Sequence, residues 1–317
     1  MFKIFLFCLI ALSEAKKKKR NVRSGQCGPS CEMKYHEKNK TLIIFGTGDM
    51  YDYREKLVPW YEYRGQIEEI HIYGMSLIGK ESFNMCTNTR KVILGKPIKK
   101  IDDYAFTNVR SLKEIDIPDT VEIIGRYAFA NCEQVVKLTI PNSVKIIEAF
   151  AFSRLYSQPD LVIPNSVTSI GMYAFQHMKS LVSVTIPNSI TEIQRDTFSE
   201  CDKLVNVNLP NTIKTIGQFA FGNCRGLIKF TVPEGVENIE NGAFFSCPYL
   251  QEMHLPSTLK HVGVGAFSYC EDIKLVTFDG KTEPKYEGNP FDRSNENIQI
   301  IVPAGYKGKT FFGKKLK

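Results

Sequence analysis

The chain is predicted to fold as an α/β repeat solenoid: one continuous stack of 23-residue units with parallel short strands and a cap at each end. Three observations predict it. Phenylalanine returns every 23 residues at Phe83, Phe106, Phe129, Phe152, Phe175, Phe198, Phe221, Phe244 and Phe267, and Phe291 follows one residue late. Proline keeps the same period at Pro118, Pro141, Pro164, Pro187, Pro210, Pro233 and Pro256. Aliphatic residues form two further ladders, one through Ile124, Ile147, Ile170, Ile193, Ile216, Ile239 and Val262, and one through Leu112, Val135, Leu181, Leu204, Leu227, Leu250 and Ile273 that breaks at Gln158. A fixed period of this length marks units that cannot bury their own apolar face and must share a core with their neighbours.

Taken in chain order, residues 1–15 read as a secretory signal peptide. Lys3 precedes the apolar run Ile4–Leu12, and Ser13-Glu14-Ala15 places small residues where a signal peptidase cuts. No later stretch approaches the roughly 20 apolar residues that span a bilayer. Residues 16–23 form a basic segment, Lys16-Lys17-Lys18-Lys19-Arg20 with Arg23, predicted to be disordered. A solvated run, a contact with acidic glycans or anionic lipid heads, and a nuclear import signal all remain open for it. Residues 24–66 depart from the repeat and are expected to form the N-terminal cap. Residues 67–278 carry the solenoid, and 279–317 the C-terminal cap with a basic tail. The two basic ends account for the net charge of +7, so the body between them is mildly acidic. An acidic body offers no continuous basic stripe for phosphates, which argues against a nucleic-acid partner.

Within one unit, Leu181–Ile186 alternates apolar Val184 and Ile186 with polar Ser183 and Thr185, the period of a half-buried strand. Pro187-Asn188-Ser189 then turns the chain, with asparagine expected in the left-handed region. Ile190-x-x-Ile193 gives a second short extended piece, and the Ala-Phe segment is expected to make a short helical turn with its ring inward. Cys86, Cys132, Cys201, Cys224, Cys247 and Cys270 each lie three residues after a ladder Phe, where other copies carry Val109, Leu155 and Met178. That exchange favours small buried thiols over a disulfide framework. Cys27 and Cys31 lie outside the repeats and are the candidate disulfide.

No catalytic set is legible: there is no phosphate-binding loop, no dinucleotide fingerprint and no nucleophile elbow. No cofactor or metal site is expected, since zinc needs four ligands and only His36 lies near the Cys27/Cys31 pair. Alternation predicts two outward rows on the first strands. One runs through Glu114, Lys137, Asp160, Ser183, Asn206, Lys229 and Glu252. The other runs through Asp116, Thr139, Val162, Thr185, Asn208, Thr231, His254 and Thr277. This mixed polar strip is the candidate ligand surface, although threonine also suits any exposed strand. Asn39-Lys40-Thr41 is a glycosylation sequon and makes Asn39 the candidate modification site.

The averaged unit L-x-x-[IV]-x-[IVL]-P-[ND]-[ST]-[VI]-x-x-I-G-x-x-A-F-x-x-C-x-x resembles the BspA-like, or treponemal-type, leucine-rich repeat. Cys27-Gly28, Thr41–Met50, Pro59-Trp60 and Val302–Lys307 resemble the segments that flank such repeats. The resemblance runs from about Cys27 to the C-terminus. It implies secreted or cell-surface proteins of bacteria and protozoa, with a protozoan source expected here. It also implies adhesion and protein binding without enzymatic activity. The expected partner is a host, matrix or neighbouring-cell protein. A second reading is a self-associating structural or coat protein held to surfaces by its basic ends.

Overall fold

Every unit hands its backbone hydrogen bonds to the units on either side. The computed structural model describes residues 22–53 and 57–316; the signal peptide read at 1–15 and most of the basic segment lie outside them. Three ladders climb the stack. In the first, Ser183–Thr185 pairs in parallel with Asp160–Val162 on one side and Asn206–Asn208 on the other, offset by one unit each way. In the second, Thr215–Ile216 lies between Glu192–Ile193 and Asn238–Ile239. In the third, the amide of each ladder Phe donates to the residue before the next ladder Phe. Phe106 reaches the Ala128 carbonyl at 2.8 Å, Phe129 reaches Ala151 at 2.8 Å, and Phe244 reaches Ala266 at 2.8 Å.

The turn between the two strands explains the consensus around proline. The carbonyl of Pro118 accepts from the amide of Val121 at 3.0 Å, and that of Pro187 from Ile190 at 3.1 Å. The Ser/Thr two residues after proline ties its unit to the preceding one. Thr120 Oγ1 donates to the Ile98 carbonyl at 2.7 Å, Thr212 to Ile190 at 2.8 Å and Thr258 to Val236 at 2.8 Å. Ser143 and Ser166 occupy the same slot with no hydrogen-bond partner.

Two local expectations are corrected. Asn142, Asn165 and Asn188 do not take the left-handed conformation. That conformation falls instead on the Ala-Phe segment, which is a pair of tandem turns and not a helical one. The residues two before and two after each ladder Phe have positive φ: 58° at Tyr104 and 61° at Asn108 around Phe106, and 55° at Tyr127 and 60° at Asn131 around Phe129. Their amides point up the stack, Tyr104 to the Arg126 carbonyl at 2.8 Å and Asn108 to Ala130 at 2.9 Å. These amides are therefore lost to an i−4 helical bond. Left-handed backbone at a bulky residue costs about 1–3 kcal/mol. Stacking offsets part of it: Tyr104–Tyr127, Tyr127–Phe150 and Phe150–Tyr173 lie 4.8, 4.3 and 4.3 Å apart and nearly parallel. Later copies avoid the cost before the Phe with Gly242, Gly265 and Gly288, while Ser246, Tyr269 and Arg293 keep positive φ after it.

The core is a column of offset-stacked rings. Phe83–Phe106 are 5.0 Å apart, Phe152–Phe175 5.8 Å and Phe244–Phe267 5.7 Å, all fully buried. Trp60 heads the column, stacked on Phe83 at 5.3 Å with its indole N–H donating to the Ser82 carbonyl at 2.9 Å. It sits one period before Phe83 and so belongs to the ladder as well as to the cap. At the other end Phe291 follows Phe267 at 5.2 Å, and Phe312 lies 6.0 Å beyond.

The ends close differently. At the start, β1 (Val22–Gly28), β2 (Cys31–His36) and β3 (Thr41–Asp49) form an antiparallel meander, and β3 then pairs in parallel with β4 (Glu69–Ile78). Arg23, assigned from sequence to the disordered segment, lies in β1, with its guanidinium 2.7 Å from Glu37 and over the Tyr63 ring. Cys27 and Cys31 are disulfide-bonded, with Cα atoms 5.0 Å apart. At the far end the antiparallel pair Thr310–Phe311 and Lys314–Lys315 lays Phe311 and Phe312 against Phe278 and Phe291.

The first ladder is interrupted between Lys91–Leu94 and Glu114–Asp116, between Asn206–Asn208 and Lys229–Thr231, and where the leucine ladder breaks. Lys137–Thr139 pairs with Glu114–Asp116 but not with Asp160–Val162. In regular copies the residue after the ladder leucine donates backward, as Val182 does to the Pro159 carbonyl at 2.7 Å and Val205 to Val182 at 2.9 Å. Pro159 has no N–H to give Val136. The Gln158 side chain fills in, its Oε1 accepting from the amide of Leu138 at 2.9 Å while its amide donates to the Asp160 carbonyl.

The six repeat cysteines are buried and unbonded to one another. Five of the thiols, from Cys132 onward, donate to the Phe carbonyl of the preceding copy, among them Cys224 to Phe198 at 3.1 Å, Cys247 to Phe221 at 3.2 Å and Cys270 to Phe244 at 3.3 Å. Burial pushes Cys86, Cys201 and Cys270 up to about 12, and Cys224 and Cys247 well above the ordinary thiol range. The thiolate is the reactive form. At about pH 8.5, where a free thiol is half ionised, native protein should resist alkylation at all six. Denaturant should expose all six. Mass spectrometry after iodoacetamide reads both states, and rapid native labelling of any of them would contradict the buried ladder.

Phe175 sits mid-column between Phe152 and Phe198, at 5.8 and 5.5 Å. Phe175→Ala should cost about 3–5 kcal/mol. Because contacts reach only adjacent units, amide exchange should quicken in the units of Phe152 to Phe198 and stay slow near Phe267. Uniform loss of protection along the chain would count against nearest-neighbour stabilisation.

Candidate binding surface

The surface follows from the first ladder. Each of its strands points one side chain inward between two pointing outward. Ile115, Leu161, Val184, Phe230 and Met253 are buried, and Leu138 and Val207 pack against the same core. The residues on either side face solvent. The structure therefore brings Glu114, Lys137, Ser183, Asn206, Lys229 and Glu252 into one row and Asp116, Thr139, Thr185, Asn208, Thr231 and His254 into a second. Val162 stands in the second row, 76% exposed among polar neighbours.

Contacts along the rows are unequal. Ser183 Oγ donates to Asp160 Oδ1 at 3.1 Å, and Asn208 Nδ2 to Thr185 Oγ1 at 3.3 Å. Lys229 and Glu252 form an ion pair at 2.9 Å. At the C-terminal end both nitrogens of His254 are engaged, Nδ1 with Thr277 Oγ1 at 2.7 Å and Nε2 with Asp279 Oδ2 at 2.9 Å. In the neutral ring the carboxylate must accept from Nε2–H, so Nδ1 accepts from the threonine hydroxyl. Sequence reasoning missed this set because Asp279 falls where the repeat dissolves. Its connectivity is that of a hydroxyl–imidazole–carboxylate relay. It lies on an open sheet face, with His254 and Asp279 side chains 39% and 49% exposed.

A third row was not anticipated. Beside the strands, at the position after the ladder leucine, Val136, Val182, Val205 and Ile228 are 53%, 38%, 42% and 45% exposed, and exposed Pro159 continues the line. An apolar ridge thus borders the polar strip over five consecutive units. The periodic signal for it lies in the sequence, one position beyond each leucine. Asn39 lies apart, exposed on the turn between β2 and β3, where the Thr41 hydroxyl donates to its carbonyl at 3.2 Å. Among the described residues no cluster of His, Cys, Asp or Glu could hold a metal ion, and no helix is long and apolar enough to cross a membrane.

Comparison with solved structures places the fold. A leucine-rich repeat protein from Bacteroides ovatus matches with a TM-score of 0.56 at 21% identity, over 88% of this chain and 78% of that one. The pneumococcal vaccine antigen PcpA matches with a TM-score of 0.52 at 19% identity, over 92% and 91%. A leucine-rich repeat protein from Eubacterium ventriosum matches with a TM-score of 0.50 at 22% identity, over 90% and 80%. All three are bacterial, so they lend no support to a protozoan source. No curated protein matches the sequence. The profile of the BspA type leucine-rich repeat region matches residues 61–182 and 169–296 in 6 copies. With three quarters of its length inside that match, the chain belongs to the BspA-type leucine-rich repeat family.

Proposed function

We propose that the protein is a non-enzymatic protein-binding module of the secreted or cell-surface type, engaging its partner through the exposed strand face. One observation carries this reading. The inward positions of the first ladder are apolar in every copy, while the outward positions range over Glu, Asp, Lys, Ser, Asn, Thr, Val and His. Stacking requires only that the outward rows be soluble and avoid like charges in adjacent units, so the rest of their chemistry is open to a ligand. The bordering ridge of Val136 to Ile228 adds apolar contact to polar specificity, the combination that protein interfaces use. Adhesion and a place outside the cell are part of the same proposal and rest on the family and on the leader-like opening of the chain.

The quadruple variant Lys137→Ala, Asn208→Ala, Lys229→Ala and Glu252→Ala changes only outward side chains, so its melting temperature should stay near the wild-type value. Surface labelling of intact source cells, followed by cross-linking and mass spectrometry, identifies proteins bound to the tagged wild type. The variant should lose those cross-links by at least about tenfold. Equal recovery of the same partners by wild type and variant would remove the strand face as the site.

A further inference from the structure

The outer rows have a hidden two-fold pattern. Read along the stack, the first row runs Lys137, Asp160, Ser183, Asn206, Lys229, Glu252. Place an axis parallel to the strands, midway between Ser183–Thr185 and Asn206–Asn208, and bring a second copy face to face about it. Rows then meet themselves in reverse order. Asp160 faces Lys229 of the second copy, Lys137 faces its Glu252, and Ser183 faces Asn206. Each charged match occurs twice. In the ridge the same axis sets Val182 against Val205 and Pro159 against Ile228, apolar on apolar. In the second row it sets Val162 against Thr231 and Thr139 against His254, with no like charges. An axis half a unit earlier, through Ser183, would oppose Lys137 to Lys229 and Glu114 to Glu252.

We infer that the strand face is an isologous dimer interface and that its partner is a second copy of this chain, the two stacks running antiparallel. The inference rests on the reading that this face is the binding surface, and it names the occupant. An isologous contact demands a self-complementary patch. The apolar ridge supplies a desolvated contact along one side and the paired charges set the register. Within one chain Lys229 already lies 2.9 Å from Glu252. In the dimer that pair extends into a row of four alternating charges, with Asp160 and Lys137 of the second copy at its ends. The patch covers six units, about 24 Å at strand spacing, by four residues along each strand, with strand pairing interrupted between Lys137–Thr139 and Asp160–Val162 and between Asn206–Asn208 and Lys229–Thr231. It falls short of the roughly 800 Å² per partner of a permanent complex, so the dimer is weak and concentration-dependent.

Sedimentation velocity of the mature chain between ~5 and ~500 µM tests this, a range that covers micromolar dissociation constants. Wild type should shift from monomer to dimer. Asp160→Lys alone sets lysine against Lys229, and Lys229→Glu alone sets glutamate against Asp160. Each should weaken self-association at least ~tenfold. Mixing the two variants restores opposite charges at both contacts, so the mixture should dimerise where neither does alone. That rescue cannot come from misfolding. A wild type that stays monomeric at ~500 µM, or a mixture that stays monomeric, overturns the dimer. If the strand-face quadruple variant still loses a cross-linked foreign partner in that case, the binding face survives and only its occupant was wrong. A wild-type dimer indifferent to both charge variants would place self-association elsewhere and overturn the inference.

Discussion

Everything in this molecule depends on a backbone register of 23 residues held by hydrogen bonds between neighbouring units. The short strands make too few bonds to define a sheet alone: those of the second ladder are two residues long. What fixes the offset is that three ladders on different sides of the stack share it, so that where the first or second lapses the Ala-Phe ladder continues, and that ladder runs through residues in left-handed backbone. The positive φ at Tyr104, Asn108 and their equivalents turns amides out of the local chain and toward the next unit. The conformational penalty is thus the means of coupling. Like residues then lie over like, and the ring column follows from the register.

Such a stack has two problems, its open ends and any unit that departs from the pattern. Both are solved with the same chemistry. Trp60 at one end and Phe312 at the other extend the column beyond the repeats, so no terminal ring faces water. The antiparallel meander from β1 to β3 converts a parallel ladder into a different edge, closed by the Cys27–Cys31 bond. Inside the stack, Pro159 removes one donor and Gln158 supplies a side-chain acceptor beside it. Continuity of the other two ladders keeps the register through the gap, as Gly171 shows by reaching the Ile147 carbonyl at 2.8 Å.

Which features were legible in the sequence follows from what periodicity encodes. A residue type repeated at one position, such as Phe or Pro, reports a contact shared between copies, and those contacts are present; the Ser/Thr slot makes its bond in some copies and not at Ser143 or Ser166. Backbone conformation is not encoded that way. The left-handed position before each Phe holds Tyr104, Phe150, Asp196 or Gly242, which share a φ and no side-chain chemistry. Its identity drifts because stacking supports the aromatics and freedom from a Cβ supports the glycines. The helical turn predicted for Ala-Phe failed for this reason. Trp60 was legible as a cap residue; its spacing of one period before Phe83 carried its place in the column, but a change of residue type hid it from a ladder defined by Phe. The relay at His254 was out of reach, since Asp279 lies outside the averaged unit.

The outer rows pose the reverse question: how much of their pattern does folding itself demand? Units about 4.8 Å apart cannot carry like charges in adjacent copies without repulsion. The other face shows the remedy. Glu122 sits between Lys99 and Lys145, and Glu237 between Lys214 and Lys260; hydrogen bonds from Lys145 and Lys99 hold the first carboxyl below its usual range, and a hydrogen bond from Lys260 with the nearby charge of Lys214 does so for the second. Alternation of sign is therefore a structural requirement and carries no information about partners. In the strand face, alternation explains Glu114, Lys137 and Asp160. It also explains that Lys229 is followed by Glu252. It does not explain which sign resumes after the neutral pair Ser183 and Asn206. Either sign would stack equally well there, and only a resumption with lysine makes the row complementary to its own reversal. The information about a partner lies in that one choice of phase, together with an apolar ridge that solubility alone would not select.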